Sequence, residues 1–424
     1  MRKKNRVKTI MLLPPTVFPI PAVGGGAVEQ LITHLLDVNE IEQKARFVLV
    51  SKYDKRAAQQ KYRHSDVLYL NDNEFVIGYE KFFRICWGLY RVWLKVFHNH
   101  IAERVFRWHH VRMDTYSFQC AILAKMKHVD MVVNELHDFG NDAPLTVFNS
   151  IVGSERFYNH IHTVRNENLQ SRNIIRNSIS ISRYVRNHWV IDKSIPGINE
   201  VLYNCIDVDR FAQPLSDSEH LLRRQKLGIA ETDFVVLYCG RLVPYKGVAE
   251  LLDAFDLLAE QRKENIKLLF IGSADFSNGN MTDFSRGILE KANKNTNVIP
   301  IGYIPNNEIP KYYALADAQV VPSTWQEGAG LVAIEGMATG LPLIVTKSGG
   351  MSEYVGEGTA IQLPIDENLV GNIVDAILQL VNNPKLCKEL GNEGKLRAKQ
   401  FSREAYYKGF LEIVDRASGE QGSR

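Results

Sequence analysis

Short runs of branched apolar residues recur along the chain, and segments of helical periodicity or turn composition separate them. In the first half we predict strands at Val7–Leu13, Phe47–Val50, Val67–Leu70, Met131–Val133, Phe157–His162, Ile179–Ser182 and Val201–Tyr203. In the second half we predict strands at Phe234–Tyr238, Leu268–Ile271, Val298–Ile301, Gln319–Val321, Leu343–Val345 and Ala360–Gln362. Short strands that alternate with helices favour parallel sheets with crossover helices. The sequence therefore predicts an α/β protein.

An amphipathic crossover helix is predicted after the first strand of the second half, in the segment KGVAELLDAFDLLAEQRK. Its apolar residues share one helical face: Val248, Leu251, Leu252, Phe255, Leu258 and Ala259. The polar turn residues within Tyr203–Pro214 indicate a hinge between the halves. At 424 residues the chain is also too long for one ordinary core. We expect two doubly wound domains with a cleft between them.

The composition, 45% hydrophobic and 23% charged, is typical of a soluble globular protein. The apolar run in the N-terminal MRKKNRVKTIMLLPP is too short for a signal-peptide core or a membrane span. The five cysteines are scattered and never spaced as Cys-x-x-Cys, so they indicate neither a disulfide framework nor a zinc site. These features favour a reducing cytoplasm.

Charge is distributed unevenly between the halves. Residues 1–205 carry 28 Lys/Arg against 19 Asp/Glu, and the remainder carries 23 against 29. A basic first half favours an anionic partner. The net charge of only +3 and the absence of a recognised motif argue against nucleic acid as that partner.

Glycines open a predicted helix after the first strand, in VGGGAVEQLITHLL. Ligands of doubly wound sheets bind beyond the carboxyl ends of the strands, so turns at these ends are the places to search. Gly24, Gly25 and Gly26 would let backbone N–H groups approach an anion at the helix start. A plain tight turn explains the three glycines equally well.

A second turn, YCGRLVPYKG, follows the first strand of the second half. Gly240 and Arg241 begin it, and Lys246 ends it at the mouth of a helix. Both side chains suit a diphosphate, because the arginine guanidinium can donate two parallel hydrogen bonds to phosphate oxygens and the lysine ammonium is a compact positive charge. The alternative is a solvated surface turn.

The third turn lies in TWQEGAGLVAIEGMATGLPLIV. Glu327 falls in the loop, and Glu335 falls about one turn inside a helix that begins near Leu331. Both carboxylates suit the hydroxyls of a nucleoside diphosphate sugar, and the amides of the helix start suit its phosphates. Attraction to the helix dipole explains Glu335 alone, but it leaves Glu327 and the glycines unexplained.

These residues carry a resemblance to a known family. GRLVPYKG, followed by VPSTWQEGAGLVAIEGMATGLPLIVTKSGGMSEYV, resembles the retaining glycosyltransferases of family 4, which have the GT-B fold and a Glu-x7-Glu pattern. VGGGAVEQLITHL, NELHDF, HIHTVRNENL and YNCIDVDRF resemble further segments of that family. The resemblance covers nearly the whole chain, most strongly Val201–Val355. Cys205 replaces a usual linker glycine, and EGAG replaces the common Glu-Pro-Phe-Gly, which leaves the donor sugar open.

The resemblance implies roles for individual residues. Arg241 and Lys246 would bind the donor diphosphate and stabilise the departing nucleotide, with Gly240 in the same turn. Glu327 would hold sugar hydroxyls and Glu335 the ribose. The remaining implied donor-binding residues are Gly24, Gly25, Gly26, Gly330, Leu331 and Val332.

The resemblance also implies transfer with retention, in which the leaving phosphate accepts the acceptor's proton. We find no convincing carboxylate pair of the glycosidase type. Asp207 and Asp209 form the only Asp-x-Asp, and its place in the linker favours a structural role. No metal and no cofactor are expected. His137 is the best candidate in the first half for a contact near the donor sugar or acceptor, and His160 and His162 are weaker candidates.

Residues 81–113 are basic and aromatic, with seven Lys/Arg, one acid and three of the five tryptophans. Their helical spacing suits either an interfacial helix on an anionic membrane or a helix with one buried face and a cationic rim. We favour peripheral contact with the cytoplasmic face of a membrane, since many members of the family use lipid-linked acceptors.

Together these features predict a GT-B glycosyltransferase of two Rossmann-like domains facing each other across a cleft. The expected domains are acceptor-binding 1–205, donor-binding 206–400, and a 401–424 segment whose helix returns to the first domain. The expected partners are a nucleotide-sugar donor and a glycan or lipid-linked acceptor of cell-surface polysaccharide biosynthesis. Two alternatives stay open: a nucleotide-sugar 2-epimerase of the same fold and a non-catalytic nucleotide-sugar-binding protein.

Overall fold

A computed structural model describes residues 6–15, 18–70, 120, 123–135, 152–164, 177–188, 197–263, 265–273 and 281–417. The strands are β1 Lys8–Leu13, β2 Ala45–Lys52, β3 Ser65–Leu70, β4 Met131–Asn134, β5 Phe157–Ile161, β6 Asn177–Ser180, β7 Asn199–Val201, β8 Phe234–Cys239, β9 Ile266–Ile271, β10 Val298–Gly302, β11 Ala318–Val321, β12 Leu343–Thr346 and β13 Ala360–Leu363. The α-helices are α1 Ala27–Glu42, α2 Arg183–His188, α3 Val208–Ala212, α4 Asp217–Lys226, α5 Val248–Glu260, α6 Asp283–Lys294, α7 Ile309–Tyr313, α8 Leu331–Thr339, α9 Met351–Val355, α10 Leu369–Val381, α11 Pro384–Ala398 and α12 Arg403–Ala417.

The described strands form two parallel sheets. The first has the order β3-β2-β1-β4-β5-β6-β7, and the second has the order β10-β9-β8-β11-β12-β13. In each sheet the first three strands are added in sequence towards one edge, and the later strands are added towards the other edge. The direction of strand addition therefore reverses between β1 and β4 in the first sheet and between β8 and β11 in the second. Crevices at such reversals are where doubly wound sheets bind ligands. The topology therefore directs attention to the loops that follow β8 and β11.

The apolar periodicity of α5 explains its position against the second sheet. Val248, Leu251, Leu252 and Phe255 are almost completely buried in one cluster with residues of β8 and β9. Burial of such side chains stabilises the fold by roughly 1.5–3 kcal/mol each. The predicted crossover helix is confirmed, and it fixes the direction in which the β8 loop leaves the sheet.

The last helix, α12, packs on the first sheet although it follows the second in sequence. Tyr407 donates a hydrogen bond to Asn39 Oδ1 of α1 at 2.6 Å. Phe410 lies 6.0 Å from Phe47 of β2 between ring centroids. The helix therefore ties the end of the chain to the first sheet, as predicted. The domain boundaries 1–205, 206–400 and 401–424 stay predictions.

Two strands are displaced by two residues from their predicted positions. The sequence favours Ile179–Ser182, whereas β6 covers Asn177–Ser180 and begins with two buried polar residues that an apolar pattern does not reveal. The sequence favours Val201–Tyr203, whereas β7 covers Asn199–Val201. In β7 the apolar pattern is misleading because this strand lies at the edge of the sheet, where backbone hydrogen bonds set the register and side chains are partly exposed.

A search of the described helices finds none with the length and apolar character needed to cross a bilayer.

Candidate functional site

The loop after β8 places a cation at its far end. Gly247 closes the loop at φ +68°, and a Cβ there would lie 1.9 Å from the carbonyl oxygen of Pro322. Only glycine fits this approach without displacing the backbone. The contact holds Lys246 beside the loop that follows β11.

Arg241 lies on the same loop, against an aromatic ring. Its guanidinium Nη2 donates to Tyr245 Oη at 2.6 Å, and its Cζ lies 5.5 Å from the ring centroid. Tyr238, from β8, donates to the Arg241 carbonyl oxygen at 2.9 Å. Ring and backbone contacts thus restrict the arginine on the edge of the sheet that carries Lys246.

Lys246 and Glu327 meet at the reversal between β8 and β11. The Lys246 Nζ lies 2.5 Å from Glu327 Oε1, and Ser323 Oγ donates to the same oxygen at 2.6 Å. The two charged side chains are 23% and 18% exposed. A cation and a hydrogen-bond acceptor are therefore both accessible from the cleft.

The backbone around Glu327 is fixed by glycines on the loop after β12. Gly350 N–H donates to the Glu327 carbonyl at 2.7 Å, and Ser348 Oγ accepts from Glu327 N–H at 3.1 Å. At Gly349, where φ is +51°, a Cβ would lie 2.4 Å from the same carbonyl oxygen. No local sequence pattern reveals these supports, because Glu327 and Ser348 are 21 residues apart in the chain.

Helix α8 begins at Leu331, as predicted, and Gly330 precedes it with no side-chain cap. Leu331 and Val332 form the start of the helix. Backbone N–H groups in a first helical turn have no intrahelical acceptor, and the helix dipole favours an anion there. This helix start faces the same edge of the sheet as Lys246.

Glu335 lies one turn inside α8 and has a neutral partner. Tyr313, at the end of α7, donates to Glu335 Oε2 at 2.7 Å, and Gln319 Nε2 donates to the Tyr313 hydroxyl at 3.3 Å. Glu335 is half-buried, and burial of its carboxyl group raises the pKa of Glu335 to about 7. The hydrogen bond from Tyr313 acts in the opposite direction and lowers this pKa. Tyr313 and Gln319 were not predicted as site residues.

The first glycine turn differs from a simple anion site. Gly26 has φ +89° and precedes α1 without a side-chain cap, but the buried carboxyl group of Glu29 occupies the space beside it. Burial raises the pKa of Glu29, and backbone N–H groups of Glu29 and Phe18 oppose that shift. The positive φ values of Gly25 and Gly26 support the tight-turn interpretation. The Glu29 carboxyl group therefore already accepts hydrogen bonds from backbone N–H groups at the start of α1.

The loop that carries Glu327 also contacts the first sheet's domain. Ser182 Oγ donates to the Gly328 carbonyl at 2.8 Å. Glu353, in α9, accepts from Arg183 N–H at 2.8 Å and Tyr184 N–H at 2.5 Å. The candidate site therefore lies where the two domains meet, although its charged residues come from the second.

Asp207 is the N-cap of α3, and Asp209 lies in the first turn of that helix. Asp207 Oδ1 accepts from Arg210 N–H at 3.2 Å and caps α3, while its Oδ2 lies 3.2 Å from Arg403 Nη1. These contacts support a structural role for Asp207. His137 lies outside the described residues, as do residues 81–113.

A buried cluster lies at the carboxyl edge of the first sheet and joins the two weaker histidine candidates, His160 and His162, to a glutamate that was not predicted. Glu135, which directly follows β4, has its Oε2 2.9 Å from His160 Nδ1 and 2.8 Å from His162 Nε2. The segment NELHDF drew attention to its histidine, whereas the buried group is the glutamate two residues earlier.

Comparisons with known proteins support the fold. The family model of glycosyl transferases group 1 matches residues 221–397. A solved glycosyltransferase from Rickettsia africae has a TM-score of 0.73 at 16% identity, covering 98% of this chain and 100% of the other. Anabaena HepE, solved in complex with UDP and glucose, has a TM-score of 0.66 at 17% identity, covering 96% and 100%. The fold is GT-B.

Curated relatives match parts of the chain. Lipopolysaccharide 1,2-N-acetylglucosaminetransferase of Salmonella typhimurium is 38% identical over 32% of this chain and 36% of its own length. A putative glycosyltransferase of Bacillus subtilis, EpsD, is 31% identical over 46% and 49%. An uncharacterized glycosyltransferase of Methanocaldococcus jannaschii is 28% identical over 72% and 74%. The chain thus spans less than half the length of the first two.

Proposed function

We propose that this protein is a retaining glycosyltransferase of family 4 that moves a sugar from a nucleotide-sugar donor to a glycan or lipid-linked acceptor. The observation that carries the proposal is the contact of Lys246 with Glu327 at the reversal between β8 and β11. A phosphate-binding cation and a hydroxyl-binding acid stand side by side, as a diphosphate joined to a sugar requires. The matched family model supports the proposal.

The donor diphosphate binds Arg241 and Lys246. Arg241 contacts Tyr245, and Lys246 contacts the Glu327 carboxylate. The oxygens of a bound phosphate replace these two partners. The N–H groups of Leu331 and Val332, after Gly330, add neutral donors at the positive end of α8. As the nucleotide leaves, negative charge grows on its phosphate, and these groups stabilise it.

The sugar and ribose bind the two glutamates. Glu327, held by Ser323 and Lys246, presents its carboxylate to sugar hydroxyls. Glu335 accepts from ribose hydroxyls as an anion, with Tyr313 retaining one of its oxygens. Gly240 lets the chain turn close to the ligand.

Transfer proceeds on one face of the sugar. The bond from the anomeric carbon to the diphosphate oxygen breaks as the acceptor oxygen bonds to the same face, and the released phosphate takes the acceptor's proton. This step needs no protein base and no metal at the diphosphate. We therefore expect addition of Mg²⁺ or Mn²⁺ to a metal-free assay buffer to leave the rate unchanged. In this proposal His137 contacts the donor sugar or the acceptor hydroxyl.

Assembly of a cell-surface polysaccharide is the proposed setting, supported by relatives such as the Salmonella lipopolysaccharide transferase. Residues 81–113 place the protein peripherally on the cytoplasmic face of a membrane, near lipid-linked acceptors. The segment carries the charge that anionic lipid attracts, seven Lys/Arg against one acid. Flotation with anionic and neutral vesicles tests this contact, and absence of binding to anionic vesicles overturns it.

The first test is a thermal-shift panel of nucleotides and nucleotide sugars, with wild type, Lys246→Ala and Glu335→Ala. A ligand that binds the native state raises the melting temperature, Tm. We expect one base family to stabilise wild type and the shift to be lost in both variants. No shift at millimolar ligand would contradict the donor site.

Release of nucleoside diphosphate with the matching donor then separates the three functions. Release that requires an acceptor and yields a retained linkage supports transfer. Turnover of the donor without any acceptor indicates an epimerase, and binding without turnover across an acceptor panel indicates a non-catalytic protein.

A further inference from the structure

We propose that Glu135, His160 and His162 form a binding site for a divalent transition metal of the zinc type. The three ligand atoms lie within 4.8 Å of one another. They belong to the first domain, on the edge of the sheet that meets the second. The inference does not depend on the proposed glycosyltransferase activity.

The backbone fixes all three residues before any ligand arrives. Glu135 follows β4 directly, and its N–H donates to the Leu13 carbonyl of β1 at 3.0 Å. His160 lies in β5, which pairs with β4, and His162 follows two residues later on the same face. Strand pairing therefore brings two imidazoles and one carboxylate together without any loop rearrangement.

The ligand types are those of zinc. Two imidazole nitrogens and a carboxylate bind Zn²⁺ at about 2.0–2.2 Å, and tetrahedral angles then place neighbouring ligand atoms about 3.3–3.6 Å apart. The observed separations from Glu135 Oε2 are 2.9 Å to His160 Nδ1 and 2.8 Å to His162 Nε2. Small side-chain movements bring these atoms into coordination.

Hydrogen bonding within the protein leaves this cluster incomplete. Among the described residues, Glu135 Oε1 has no hydrogen-bond partner, and neither nitrogen of His160 makes a hydrogen bond of acceptable geometry. The side chains of Glu135, His160 and His162 are only 2%, 0% and 5% exposed. Buried polar atoms without partners are costly, by about 1–3 kcal/mol each. A bound metal ion provides a partner for both Glu135 Oε1 and His160 Nδ1.

The site supplies three ligands, one atom each from Glu135, His160 and His162. Two imidazoles and one carboxylate leave the fourth position of a tetrahedral zinc to a water molecule. The site also lies beside the loop that carries Glu327, because the His162 carbonyl lies against Gly328, where an added Cβ would be 3.0 Å away.

The test is metal retention by the full chain. Wild type, Glu135→Gln, His162→Gln and the control His128→Asn are incubated with equimolar Zn²⁺, or with Mg²⁺, and passed through gel filtration. Metal per chain is then measured by mass spectrometry. His128 is a suitable control because it is an exposed histidine of the same domain whose φ of +50° suits asparagine.

We expect about one Zn²⁺ per chain in wild type and in the control, little in the other two variants, and no retained Mg²⁺. Zn²⁺ should also raise the Tm of wild type. Failure of wild type to retain Zn²⁺, or equal retention in Glu135→Gln and His162→Gln, overturns the proposal.

A Co²⁺ spectrum of wild type keeps the proposal testable if the variants fail to fold. Four-coordinate Co²⁺ with nitrogen and oxygen ligands gives visible d–d absorption without a thiolate charge-transfer band. A thiolate band would assign the metal to a cysteine and overturn the site.

Discussion

Lys246 and Glu327 are 81 residues apart in sequence, yet Nζ and Oε1 are 2.5 Å apart at the point where the order of the second sheet reverses. Each neutralises the other while the cleft is free of ligand. Removing either leaves the partner's charge uncompensated in a partly buried site, and it also removes one group that the proposed donor requires.

We expect Lys246→Ala to lower kcat about 100- to 1,000-fold, since removal of one preorganised charge-stabilising group has effects of that size. The measurement is initial-rate kinetics of nucleoside diphosphate release. Lys385→Ala is the matched control, because Lys385 is an exposed lysine of the same domain, 86% of its side chain being accessible. Equal rates for Lys246→Ala and wild type would remove Lys246 from the proposed mechanism.

The stability of the ligand-free protein should fall as pH rises through Glu335's titration. Folded Glu335 keeps its proton up to about pH 7, whereas the unfolded residue loses it near 4.5. Between these values the native state binds more protons, so the free energy of unfolding falls with rising pH, by at most about 3 kcal/mol. Urea unfolding at pH 5 and pH 8 measures the change.

Glu335→Gln removes this titration, so the variant should lose that part of the pH dependence. Glu357→Gln, at an exposed acid of the same domain, should behave as wild type does. An unchanged pH slope in Glu335→Gln would show that burial does not raise the carboxyl pKa.

Gly247→Ala should destabilise the protein by at least about 1–2 kcal/mol, the cost of a left-handed backbone for a residue with a Cβ. The clash with Pro322 O, 1.9 Å from the added atom, increases that loss and displaces Lys246. Gly287→Ala in α6 is the control, because nothing lies within 4 Å of its added Cβ. That helical substitution should stabilise by up to about 1 kcal/mol. Thermal unfolding compares the two, and similar Tm changes would contradict the packing argument.

Tyr354→Phe should loosen the contact between the domains. The Tyr354 hydroxyl donates to the Ile181 carbonyl at 2.6 Å and accepts from Asn204 N–H at 2.8 Å. Removing it leaves two buried backbone groups unpaired, at a cost of about 1–3 kcal/mol. We expect faster amide exchange at Asn204 by hydrogen–deuterium exchange.

Tyr303→Phe, at a residue 57% exposed, should leave stability and exchange unchanged. If Asn204 exchanges equally fast in wild type and Tyr354→Phe, the hydroxyl does not hold the domains together.

The sequence by itself determined the α/β class, most strand positions, the α5 crossover helix and the start of α8 at Leu331. These depend on local periodicity and on glycine, which act over a few residues. Motif resemblance further gave the GT-B fold. The sequence misplaced β6 and β7 by two residues each, because backbone partners set their registers: β6 begins with buried polar residues, and β7 is an edge strand with partly exposed side chains.

Only the tertiary structure decided which side chains meet. Tyr313 reaches Glu335 across 22 residues, and Glu135 reaches His162 across 27, with no spacing pattern to reveal either pair. Cysteine spacing carried no sign of the proposed metal site because its ligands are imidazoles and a carboxylate on neighbouring strands. Parallel strand pairing creates such contacts between residues far apart in the chain, and at Glu335 burial then raises the pKa of the carboxyl group.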